Sequence, residues 1–70
     1  MKTININDFN YDGELINLDE VEKYEKYLYN PSFYLDKNKK YYFYCNKGIK
    51  SRKVVSILEL YGYDVIRVIK

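Results

Sequence analysis

Cys45 is the only cysteine in a chain that has no histidine, and the six residues after it are Asn46, Lys47, Gly48, Ile49, Lys50 and Ser51. A thiol, two ammonium groups, a flexible backbone position and a hydroxyl therefore fall within one short stretch. If a strand delivers Cys45 and a helix starts soon after it, unpaired backbone N–H groups and the positive end of the helix dipole point into the loop between them. Gly48 lets the backbone turn so that successive N–H groups converge on one point. Lys47 and Lys50 add positive charge, and Arg52 can contribute from the first helical turn. Each factor favours thiolate over thiol. The expected chemistry is a nucleophile facing a cradle for an anion, suited to attack on an anionic sulfur donor and to storage of a persulfide. The same residues also have plainer roles. Cys45 can be a small buried hydrophobe at a strand end, Lys47 and Lys50 a solvated loop, Ser51 a helix N-cap, and Gly48 a requirement of backbone shape.

The flanking pattern supplies elements that could position this loop. Tyr41-Tyr42-Phe43-Tyr44-Cys45 is a continuous aromatic run and reads as a central strand covered on both faces. Val54, Val55, Leu58 and Tyr61 recur at helical spacing behind it, Gly62 is placed as the C′ residue, and Tyr63 is expected to fold back on Leu58. Asp64 to Ile69 reads as a further buried strand. Upstream, Thr3 to Ile6 alternates as a half-buried strand, Asp12-Gly13 is the strongest turn signal, and Glu14 to Leu18 forms a short apolar strand. Asp19 and Glu22 make a capping pair that predicts a helix carrying Val21, Tyr24 and Leu28, with Glu22 and Lys26 paired on its outer face. Asn30-Pro31-Ser32 is expected to stop that helix. A short extended piece is predicted over Phe33 to Leu35, then a charged turn from Asp36 to Lys40. Strands alternating with helices predict an α/β fold, a mostly parallel central sheet of about four to five strands flanked by helices, with right-handed crossovers.

Composition bounds the function. Seventy residues are expected to form a single domain, 1–70, burying only ~60% of the surface the unfolded chain exposes. Ten tyrosines and three phenylalanines offset the short length with large side chains. Twelve Lys and Arg against ten Asp and Glu give a net charge of +2, too mild to indicate nucleic acid. Acidic residues cluster between Asp8 and Glu25 and basic ones from Lys37 to Lys53, an asymmetry that favours an anionic ligand at one end. One cysteine excludes an intramolecular disulfide, and without histidine there is no ligand set for zinc or haem, so neither a metal nor another cofactor is expected. No apolar run approaches the ~18–20 residues that cross a bilayer, and no secretory signal is visible, so a cytoplasmic location and no membrane partner are expected.

The stretch Cys45-Asn46-Lys47-Gly48-Ile49-Lys50-Ser51 resembles the active-site loop of single-domain rhodaneses, commonly written C-x-x-G-x-R-S. Leu58-Glu59-Leu60-Tyr61-Gly62-Tyr63-Asp64-Val65 resembles the helix end and last strand of that family, and Leu15-Ile16-Asn17-Leu18 with Glu22-Lys23-Tyr24 resembles its L-I-D-V-R-x-x-x-E-[FY] segment. The resemblance implies a small rhodanese-like domain and a sulfurtransferase or sulfur carrier. Cys45 would be the catalytic residue, and Asn46, Lys47, Gly48, Ile49, Lys50 and Ser51 the substrate-binding loop. It implies a small anionic donor of the thiosulfate or polysulfide type, and a thiol acceptor. Lys50 stands where the family has Arg, which keeps a cation and loses the bidentate fork. A non-catalytic rhodanese-like interaction or regulatory module is the alternative. A C-x₅-R phosphatase is disfavoured, because Ser51 occupies the sixth position after Cys45 and Arg52 lies one place too far.

Overall fold

The computed structural model describes residues 1–70 and contains four strands, β1 (Thr3–Asn5), β2 (Glu14–Asn17), β3 (Lys40–Tyr44) and β4 (Asp64–Ile69), with helices α1 (Lys26–Tyr29), α2 (Pro31–Tyr34) and α3 (Ile49–Leu60). The strands form one all-parallel sheet in the order β1-β4-β3-β2. The aromatic run becomes β3, an interior strand as its two apolar faces require. Tyr41 and Phe43 point to the helical side, where they pack with Val54, Val55, Leu58 and Val65. Tyr42 points to the other side, against Ile66 and Val68.

Parallel crossovers are right-handed almost without exception. The helical connections step from β2 to β3 to β4 in one direction and cover one face. The first connection steps the opposite way, from one edge of the sheet to the other, so the same hand sends it across the opposite face. Ile6 to Gly13 must therefore cross three strand spacings, about 14 Å at ~4.8 Å each, while also returning to the amino ends of the strands. Eight residues reach ~26 Å when extended, which leaves room for one 3-10 turn at Ile6–Asp8 and no full helix. Phe9 packs edge-on against Tyr42 at 4.8 Å between ring centroids. Asp12 secures the far end, accepting from the Tyr42 hydroxyl at 2.5 Å and from Lys40 Nζ at 3.0 Å. This strap is the only cover the second face receives from the chain.

Three local expectations are corrected. The helix predicted from Asp19 is reduced to a 3-10 turn at Leu18–Glu20, an extended Val21, and the single α-turn of α1. The Asp19 carboxylate binds the loop after β3 instead of capping its own segment. Glu22 and Lys26 make no ion pair; the Lys26 ammonium lies 4.6 Å from the centroid of the Tyr34 ring. Pro31 ends α1 as expected but also starts α2, so Phe33 and Tyr34 are helical rather than extended. Proline at the first helical position loses no hydrogen bond and is preset for the helix. Downstream the pattern is followed except at Tyr61, which was expected on the core face of the helix and instead lies exposed at the C-cap of α3, past its last full turn. Gly62, at φ +89°, and Tyr63 close α3 by donating to the carbonyls of Glu59 and Leu58, a Schellman motif. No helix is long and apolar enough to cross a membrane.

The strap also sets an expected pH response. The Tyr42 hydroxyl, with Lys40 beside it, holds the Asp12 carboxyl below the usual aspartate range. The same contact raises Tyr42 and Lys40. A carboxyl lowered by folding stabilises the fold above its unfolded value of ~3.9 and loses that contribution as pH falls through the folded value. Groups raised by folding lose theirs as pH climbs past ~10. The urea midpoint should therefore fall between about pH 6 and about pH 3, and by less in Asp12→Asn than in wild type. An equal fall in both proteins would show that the strap anchor contributes nothing.

Candidate functional site

The carboxyl ends of the parallel strands carry the loop that the sequence singles out. Cys45 follows the last residue of β3, and α3 begins at Ile49. Gly48 is the N-cap, in the left-handed region at φ +75°. A Cβ there would come within 2.7 Å of Arg67 Nη2. Gly48 thus meets two demands at once, a positive φ and a close approach.

Ser51 is not the N-cap expected for it. It is the third residue of α3, fully buried, and its backbone N–H donates to Cys45 Sγ at 3.2 Å. No side-chain oxygen caps α3, so the sulfur takes the place of a capping acceptor. The Ser51 hydroxyl lies 3.3 Å from the same sulfur and 3.4 Å from the Gly48 carbonyl. When sulfur carries the proton, S–H donates to Ser51 Oγ and the hydroxyl donates to Gly48. When sulfur is anionic, the hydroxyl can rotate and donate to it. Both arrangements satisfy every polar group in the contact.

Cys45 is 2% exposed and belongs to the core cluster on the helical face. Two hollows flank it. The larger, about 530 Å³, is bounded by Asp19, Tyr24, Cys45, Ile49 and Lys50. The smaller, about 190 Å³, lies on the β4 side. Of the remaining loop residues, Lys47 is exposed and unpaired, and Ile49 presents an apolar side chain at 71% exposure. The backbone N–H groups of Lys47, Ile49 and Lys50 have no protein acceptor. The Asn46 N–H does have one, Asp19 Oδ2 at 2.6 Å. Lys50 Nζ donates to Asp19 Oδ1 at 3.2 Å and lies near the Tyr24 ring. Arg52 joins the loop through its backbone, donating to the Gly48 carbonyl.

Two residues were not read from the sequence as part of this region. Asp19 brings a carboxylate into a loop expected to be basic, and the Asn46 N–H and then Lys50 hold that carboxyl below its ordinary range. An Asx turn aims it, with Asn17 Oδ1 accepting from the Asp19 N–H at 3.0 Å. The nearest sequence signal was Asn17 before an Asp, an Asx-turn pattern that competes with the capping pair. Arg67 reaches up from β4, and its Nη2 donates to the Gly48 carbonyl at 3.1 Å. Its signal was a lone cation inside the apolar run Val65-Ile66-Arg67-Val68-Ile69.

The arrangement can hold a sulfur anion by the Ser51 N–H and, once turned, the Ser51 hydroxyl, in a loop whose Lys47, Ile49 and Lys50 amides are free of protein acceptors. Asp19 acts as an internal anion that occupies the Asn46 amide and Lys50 Nζ. Its removal should loosen the loop. Asp19→Asn is expected to raise the rate at which iodoacetamide alkylates Cys45 severalfold, with the circular dichroism spectrum retained. An unchanged rate would show that the Asp19 contacts do not limit access to the sulfur. Comparison of the chain with family models, with curated proteins and with solved structures finds no match.

Proposed function

We propose that the protein is a member of the rhodanese-like family that carries sulfur on Cys45, as a sulfurtransferase or a sulfur carrier in a reducing, cytoplasmic setting. One observation carries the reading: Ser51 N–H and Ser51 Oγ converge on Cys45 Sγ beneath a loop whose Lys47, Ile49 and Lys50 amides have no protein acceptor. The Ser51 N–H already donates to the sulfur, and the hydroxyl turns from the Gly48 carbonyl to join it when negative charge appears. The loop residues Cys45 to Ser51 that resemble the family motif are the ones that build this arrangement.

The chemistry is a pair of displacements. The Cys45 thiolate attacks the outer sulfur of a thiosulfate-type donor. A new S–S bond forms at Cys45, the donor's S–S bond breaks, and its electron pair leaves with sulfite. The thiolate of an acceptor then attacks the terminal sulfur of the persulfide, and Cys45 returns as the thiolate. Ser51 positions the sulfur through both steps. Lys47 and Lys50 lend the loop positive charge, Lys50 as a point charge without the fork that Arg would bring.

The burial of Cys45 favours a second reading, a non-catalytic rhodanese-like module in which the sulfur only caps α3. Intact mass spectrometry separates the two. Incubation with thiosulfate or polysulfide should add the mass of one sulfur atom to the wild type, reversed by dithiothreitol, and add nothing to Cys45→Ser. A wild type left unmodified by both donors would contradict sulfur transfer and leave the capping role.

A further inference from the structure

In open parallel sheets, ligands settle beyond the carboxyl ends of the strands, where neighbouring connections leave for opposite faces. Here β1 leaves toward the strap face and β3 toward the helical face, with β4 between them. The smaller hollow lies at that point. Cys45 and Gly48 form its loop wall, Arg67 and Ile69 its β4 wall, and Lys47 and Lys70 lie at its sides. Three of its residues are cationic and none is acidic, in contrast to the larger hollow, where Asp19 intrudes.

Arg67 shows what is lacking there. Its Nη2 is spoken for by the Gly48 carbonyl, while its Nε is buried and has no hydrogen-bond partner. That N–H is closed off from the hollow as well, so what Arg67 offers there is the charge of its guanidinium, which no carboxylate balances. An oxyanion would balance it. At about 190 Å³ the space is smaller than the ~300 Å³ at which pockets for drug-sized ligands begin. It suits a small ion. The hollow is also coupled to the thiol, because the Gly48 carbonyl that receives Arg67 is the acceptor for the Ser51 hydroxyl beside Cys45 Sγ.

We propose that this hollow is a subsite for a small sulfur oxyanion, the sulfonate end of thiosulfate and the sulfite it becomes, with Arg67 as its principal ligand and Lys47 and Lys70 as supporting charges. The identity of the ion rests on the sulfur-transfer reading; the presence of an oxyanion site does not. The displacement is the one given above. The electron pair of the broken S–S bond resides on sulfite, and Arg67 holds the group on which that charge collects. Donors without a sulfonate, such as polysulfide, have no use for the subsite.

Two measurements test it. In the first, sodium sulfate serves as an unreactive probe at constant ionic strength set with chloride, and backbone amide shifts are followed by NMR. Gly48, Arg67 and Lys70 should shift saturably with sulfate and not with chloride, and Arg67→Gln should weaken binding about tenfold or more. Arg67→Lys should fall between the two. Lys47→Gln, altered at an exposed position, gives the same reading if Arg67→Gln fails to fold. No saturable shift, or equal affinity in the wild type and the charge variants, overturns the subsite. In the second, the rate of persulfide formation is compared for the two donors. Arg67→Gln should slow loading from thiosulfate about tenfold more than it slows loading from polysulfide. Equal effects on both donors overturn the oxyanion role while sulfur transfer stands. If neither donor loads the wild type, sulfur transfer fails, and the sulfate titration by itself decides whether the hollow binds an oxyanion.

Discussion

Every strand of this protein runs parallel to its neighbours, so the chain must return to the same end of the sheet after each one. In 70 residues there is little length for such returns. One proper crossover helix, α3, is built; α1 and α2 are single turns; the remaining connection is a strap. A parallel sheet needs cover on both faces, and the aromatic residues make thin cover sufficient. Phe43, fully buried, meets Tyr27 edge-on under the short helices, and Tyr42 meets Phe9 under the strap. The all-parallel order also brings the carboxyl end of each strand to one side of the molecule. Cys45, Asp19 and Arg67 are far apart in sequence and meet there for that reason.

At that side the thiol serves structure, and the proposed sulfur chemistry would use the same contacts. Its sulfur completes the N-terminus of α3 by accepting from the Ser51 N–H. A helix start that lacks a side-chain oxygen cap and a thiolate that needs donors are complementary. The acidic and basic segments, separate in sequence, are joined by two ion pairs, Asp12 with Lys40 at one end of the sheet and Asp19 with Lys50 at the other. The first fastens the strap. The second partly fills the basic end with a carboxylate from the protein itself. The positive field expected from the charge distribution is therefore divided, and Lys47, Arg67 and Lys70 around the smaller hollow stay free of carboxylates.

The downstream half was legible because its signals are local. The aromatic run, Gly48, the helical spacing of Val54, Val55 and Leu58, and the Gly62-Tyr63 ending each depend on neighbours in sequence, and each forms the element they imply. The errors lie where a residue is claimed by a partner far along the chain. Asp19 has the pattern of a helix start but is engaged by Asn46 and Lys50, 27 and 31 residues away. Ser51 resembles a cap and is instead the partner of a sulfur six residues before it. Pro31 has two local meanings, an end and a beginning, and both are realised. Arg67 was visible as an oddity in an apolar strand; its role needed the register of β4 beside β3, which brings it beneath Gly48.

The central claim is that Cys45 accepts the outer sulfur of an anionic donor while the rest of the donor departs as sulfite. Thiosulfate labelled separately at its outer and inner sulfur tests this directly. The protein should acquire label from the outer position only, release it to dithiothreitol, and acquire none when Cys45 is serine. A protein that stays unlabelled, or that takes up label from both positions alike, would contradict the account.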